Sequence, residues 1–112
     1  MRKTYLGELE EIVLLMVALL YDQAYGVAVT DAIEHQTGRS ISISAIHATL
    51  HRLENKGFVK SDMAGATAER GGRRKRFFTV TPAGSSAMHA IREVREQLWK
   101  QIPAKALRPK SI

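Results

Sequence analysis

A chain of 112 residues with 45% hydrophobic and 25% charged residues is the size and composition of one globular domain, which excludes long disorder. Its 17 Lys and Arg against 11 Asp and Glu give a net charge of +6, which points to a polyanionic partner, nucleic acid or an anionic membrane surface. The absence of cysteine excludes a disulfide scaffold, a thiolate metal site, a thiol nucleophile and a thiol redox switch, and fits a reducing compartment.

In chain order, Leu6 to Leu20 reads as a first helix. Leu6, Leu9, Val13 and Met16 keep helical spacing, and Glu8, Glu10 and Glu11 suit its N-terminal dipole. From Ile12 onward almost every position is apolar, so burial on several sides is expected. This run has nine residues where a membrane span needs about 20. No small-residue cleavage site follows it, so a soluble, cytoplasmic protein is expected. Tyr21 to Gly26 is a break. A second helix carries Val27, Val29, Ala32 and Ile33 on its apolar side and stops at Thr37-Gly38. Ser40 to Ile43 alternates polar and apolar, as a short strand or an extended lead-in. Ser44 is placed to cap a third helix to about Lys56, with Gly57 at C′.

Phe58 to Met63 suits a strand, Ala64 to Gly72 a glycine-containing loop, and Arg74 to Val80 a returning strand. Thr81 caps a last helix with Pro82 at its first position, which reaches about Ile102 and stops before Pro103. Ala104 to Ile112 is basic and reads as a loose tail. Three helices, a hairpin and a last helix make a mainly α (α+β) winged helix-turn-helix with a two-stranded β wing. Such a fold places its third helix in the DNA major groove and its wing against phosphates or the minor groove.

The charge is distributed as that fold requires. Residues 1–56 carry a net −2 and residues 57–112 a net +8, with Arg70, Arg73, Arg74, Lys75 and Arg76 within seven positions on the expected wing. At about 100° per residue, Ile46, Leu50 and Leu53 form one stripe of the third helix. His47, Ala48, His51, Arg52 and Asn55 form the opposite face. His, Asn and Arg can hydrogen-bond to bases or backbone, and Ala48 allows close approach. A merely solvated face is the alternative on this helix alone; the basic hairpin that follows favours DNA. His47 and His51 also have i,i+4 spacing suited to a metal, but no third ligand is near in sequence, so no metal and no cofactor are expected.

Four stretches of this sequence resemble the PadR-like (phenolic-acid-repressor-like) transcriptional regulators. They are Leu6-Gly7-Glu8-Leu9-Glu10 leading into the apolar run; Ala24-Tyr25-Gly26; Ser42 to Val59, which is similar to the family's recognition helix and wing entrance; and Arg74 to Gly84, which resembles its wing strand. The departures are His47 where the family often has Tyr, no Gly or Pro turn around Ile43-Ser44, Phe77-Phe78 in place of a Tyr pair, and Arg74 where Pro is common. The resemblance implies a homodimeric DNA-binding repressor whose last helix mediates dimerisation. A single helix after the wing looks like a short-tailed member, some of which bind flat aromatic compounds at the dimer interface.

Read on its own, the last helix lines up Ala87, Ile91, Val94, Leu98 and Ile102 as a narrow apolar stripe, with Met88 and Trp99 beside it. Such a stripe fits a two-helix seam, with packing on the first helix as the alternative. Trp99 and Met88 suit either interface packing or an effector platform.

The expected organisation is a DNA-binding unit at 1–81, a dimerisation helix at 82–102 and a basic tail at 103–112. The expected partners are double-stranded DNA, a second copy of the chain and a small aromatic effector. The expected DNA contacts are Tyr25, Ser42, Ser44, His47, His51, Arg52, Arg73, Arg74, Lys75 and Arg76. No phosphate loop in a strand-to-helix setting, nucleophile motif or carboxylate pair is visible, so an enzyme is not expected. A winged-helix protein-interaction module without DNA binding is the remaining alternative, and a salt-sensitive DNA shift separates the two.

Overall fold

The computed structural model describes residues 5–64 and 74–108. Residues 65–73, which include Arg70, Arg73 and nearly all of the expected loop, and residues 109–112 of the tail lie outside the described residues. The elements are helices α1 (Glu8–Leu20), α2 (Gly26–Thr37) and α3 (Ile43–Asn55), strands β1 (Val59–Ala64) and β2 (Lys75–Val80), and helices α4 (Pro82–Gln101) and α5 (Ala104–Leu107). A 3-10 turn at Tyr21–Gln23 follows α1 within the expected break. This is the winged helix expected from the sequence.

α1 starts two residues later than expected, because Gly7 is its N-cap and the Glu10 carboxylate accepts from the Gly7 N–H at 2.8 Å. α2 ends at Gly38, with φ of 75°, as Thr37-Gly38 predicts. Ser40 to Ser42 is the extended lead-in, not a strand, and Ile43 already belongs to α3. The α3 cap is Ser42, not Ser44: Ser42 Oγ accepts from Ala45 N at 3.1 Å, which places Ser44 inside the first turn. The Ile43-Ser44 pair begins the helix because the first oxygen able to satisfy its free N–H groups comes two residues earlier than expected. Gly57 follows α3 with φ of 81°, as a C′ glycine should.

β1 and β2 pair antiparallel with Val59 opposite Val80 and Met63 opposite Arg76. A third extended point, not foreseen, joins them: Tyr25 bridges Phe77, and Phe78 N donates to Ala24 O at 2.8 Å. The wing is thereby stitched to the start of α2.

The core lies among α1, α2, α3 and the base of the wing. Val13, Leu14, Val29, Ile33, Ile46, Leu50 and Leu53 are fully buried, with Phe58, Val59 and Phe78 closing one side. The stripe expected on α3 is the one that packs. Val27, expected on the apolar side of α2, is exposed instead, while Leu15 and Leu19 of α1 remain outside the core.

α4 departs most from expectation. Thr81 caps it as predicted, accepting from Gly84 N at 3.0 Å while its hydroxyl donates to Gly57 O at 2.6 Å. But the first half of this helix takes part in the core: Gly84 is buried, and Ala87, Met88 and Ile91 pack against the core. Only Val94, Leu98 and Ile102 of the expected stripe are exposed. The five apolar residues do recur at intervals of 4, 3, 4 and 4, but the helix spends its first half on its own chain. Beyond it, the tail's one described feature is the exposed turn α5.

Candidate nucleic-acid interface

The exposed side of α3 carries His47, Ala48, His51 and Asn55, with Ser42 and Ser44 exposed at its N-terminal end. The inward stripe fixes this orientation, since turning the helix would bury imidazoles and expose Ile46, Leu50 and Leu53. Thr49, which also faces inward, is satisfied by donating to Ala45 O at 2.8 Å.

Arg52 is placed differently from the other expected contacts. Its Nε lies 3.4 Å from Glu10 Oε2 and its Nη2 donates to Thr49 Oγ1 at 3.2 Å. The guanidinium is thus turned back towards α1. Lys56 joins the same carboxylate, with Nζ 2.8 Å from Glu10 Oε1 and 2.8 Å from Tyr5 O. Burial pushes the Glu10 carboxyl's pKa up, but Lys56, the Gly7 N–H and Arg52 together outweigh it and hold the pKa below its usual value. Glu10 therefore stays ionised and ties the start of α1 to the last turns of α3. Sequence reasoning gave Glu10 only a helix-dipole role. The signal it missed was the Gly7-x-x-Glu10 spacing, in which the third helical residue's carboxylate reaches back to the N-cap N–H, one half of a capping box.

The wing cations stand next to this face. Arg74, Lys75 and Arg76 are exposed, and Arg73 lies outside the described residues. Lys75 Nζ sits 4.1 Å from the centroid of the Tyr25 ring, which meets Phe77 edge-on at 5.4 Å. Arg76 Nη1 donates to Ser61 Oγ at 3.0 Å, and Ser61 donates to Glu54 Oε2 at 2.7 Å. Lys75 is therefore coupled to α2, and Arg76 to the end of α3. The structure brings Tyr25, expected as a phosphate contact, together with the wing as the ring that carries Lys75. His47 lies against Gly26: a Cβ on that glycine would be 2.6 Å from His47 Cε1.

Away from this surface, Met88 and Trp99 line one groove of about 450 Å³ between α1 and α4, with Leu6, Leu15 and Ile91 among its walls. At its rim Arg95 grips Glu11 through two contacts, Nη2 at 2.6 Å and Nε at 3.2 Å. The Glu11 carboxylate pushes the Arg95 pKa up and braces α4 against α1. Among the described residues, no helix is long and apolar enough to cross a membrane, and no group of three or more His, Asp or Glu side chains is placed to hold a metal.

Solved structures with this fold include a PadR-like transcriptional regulator from Bacillus cereus. It is 13% identical with a TM-score of 0.72, over 91% of this chain and 93% of that one. A transcriptional regulator from Clostridium thermocellum is 24% identical with a TM-score of 0.65, over 81% of this chain and 82% of that one. PadR of Bacillus subtilis, solved in complex with operator DNA, is 19% identical with a TM-score of 0.62, over 93% of this chain and 52% of that one. At these identities the likeness shows the fold. No curated protein matches the sequence. The sequence pattern of the family described as "Transcriptional regulator PadR-like family" matches residues 14–90, from the middle of α1 through the wing into α4. With that match over most of its length, on the fold just described, the chain belongs to the PadR-like family of transcriptional regulators.

Proposed function

We propose that the protein represses transcription by binding a palindromic operator as a homodimer, and that a small aromatic effector releases it. The observation that carries the reading is the juxtaposition of the polar α3 face, with His47 and His51 outward, and the exposed wing cations Arg74, Lys75 and Arg76. The first can read base edges; the second supplies sequence-independent affinity by releasing counterions. Ser42 and Ser44, at the N-terminal end of α3, serve phosphates, as does Arg73. Arg52 contributes from behind, by exchanging Glu10 for a phosphate or by holding α3 in place. Binding of operator DNA by Bacillus subtilis PadR supports the same use of the fold here.

The dimer reading rests on the second half of α4. Val94, Leu98 and Trp99 are 59%, 57% and 64% exposed on one helix, an apolar surface that a monomer leaves in water. Ala87 and Ile91 serve this interface only by bracing the helix. The effector reading rests on the groove that joins Met88 to Trp99. A ligand there would act by favouring one of two spacings of the reading helices.

Glutamates in place of Val94 and Leu98 test the assembly. The wild-type protein is expected to sediment as a dimer. The double variant should sediment as a monomer with unchanged helical circular dichroism. Its affinity for a two-half-site duplex should fall on the order of hundredfold, the advantage of linking two binding units. A wild-type protein that sediments as a monomer, or a double variant that remains a dimer, contradicts the reading.

A further inference from the structure

We propose that Gly26 is a specificity-determining residue of the DNA interface: by having no side chain, it lets the His47 imidazole seat on the first turn of α2 and holds the ring at a fixed angle to the groove. The inference rests on the DNA-binding reading above and deepens it.

The backbone at Gly26 does not itself need glycine. The glycines with positive φ among the described residues are Gly38 and Gly57; Gly26 is the first residue of α2, where alanine is the better helix former. What the position needs is room. An ideal Cβ there would stand 2.6 Å from His47 Cε1, 2.9 Å from Nε2 and 3.4 Å from Nδ1. The imidazole therefore occupies the space that any other residue would fill. His47 is nonetheless exposed, so one side of the ring lies on α2 while the other remains on the reading face beside His51.

This seat is also indexed to the wing. Tyr25, covalently next to Gly26, bridges Phe77 and carries Lys75 on its ring. His47, Gly26, Tyr25 and Lys75 thus form one continuous line from the reading helix to the basic hairpin. A neutral imidazole has one donor and one acceptor nitrogen, and which base edge or phosphate each can reach depends on the ring's torsion. A ring held before binding loses little rotamer freedom on contact, which favours both affinity and selectivity.

The test is a double-mutant cycle on a duplex that the wild-type protein selects from a random pool. G26A is expected to keep the wild-type melting temperature or exceed it, and to shift the His47 Cε1 proton resonance in the DNA-free protein. Its affinity should fall by about tenfold per half-site, the size of one well-made hydrogen bond. H47A should lose about the same, and G26A/H47A no more than either alone, because the glycine acts only through the ring. A G26A variant that loses melting temperature is checked in the H47A background, where the clash is absent and the melting temperature should recover. G26A with wild-type affinity, or losses that multiply in the double variant, overturns the inference alone. A wild-type protein that selects no duplex overturns the reading of function and this inference with it.

Discussion

Replacing Gly84 with alanine should lower stability by about 2–4 kcal/mol. The methyl group would overlap Phe58 O and sit 3.0 Å from both Phe58 C and Val80 Cγ1. Two of those atoms are backbone, so no rotamer change relieves the overlap. The same Phe58 O accepts from Thr81 N at 3.0 Å, so moving Phe58 away breaks the bond that starts α4. The gain in helix propensity, about 1 kcal/mol, offsets only part of this. The melting temperature should fall by roughly 10–20 °C for a domain of this size. Thermal unfolding followed by circular dichroism reads it, and an unchanged midpoint would show that Gly84 does not sit against Phe58 as described. The functional consequence is orientation, since this contact sets where the exposed half of α4 points relative to α3.

Removing two wing cations should have the largest effect on binding. In a dimer, R74A/R76A deletes four positive charges, each worth about 0.9 in the slope of log affinity against log salt if it meets a phosphate. The slope should flatten by about 3–4, and affinity at moderate salt should fall on the order of 10²–10³-fold across all duplex sequences. Arg74 and Arg76 are exposed, and the hydrogen bond of Arg76 to Ser61 is replaceable by water, so the fold should be unaffected. Lys75 is left in place because its ammonium packs on Tyr25 and its loss would disturb α2 as well. Titration at several salt concentrations separates the outcomes. A slope equal to that of the wild type would remove the wing from the phosphates.

What the sequence made legible follows from how far each signal reaches. Helix periodicity is local and repeats, so the α3 stripe of Ile46, Leu50 and Leu53 and the exposed His47 and His51 were readable from spacing alone. Glycine stops are local as well, and Gly38 and Gly57 stand where they were expected. Pairings across the chain were not legible. Nothing in residues 42–56 announces that Arg52 and Lys56 share Glu10, 42 and 46 positions away, and so spacing alone places Arg52 among the DNA contacts. The same holds for Ser61 between Arg76 and Glu54, and for the bridge from Tyr25 to Phe77.

The cap of α3 was missed for a different reason. Ser40, Ser42 and Ser44 are chemically equivalent, and the choice among them depends on where α3 must begin to bury Ile46. The α4 stripe shows a third kind of limit. An apolar spacing says that a face is buried but not by what; Ala87 and Ile91 pack against the chain's own core, while Val94, Leu98 and Ile102 remain exposed.

Selection from a pool of random duplexes by the purified protein, followed by affinity against salt, tests the central claim most directly. The account predicts enrichment of a palindrome with half-sites about one helical turn, roughly 34 Å, apart, and affinity that falls steeply with salt. No enriched sequence together with salt-independent or absent binding would contradict it, and would leave a winged helix whose partner is a protein.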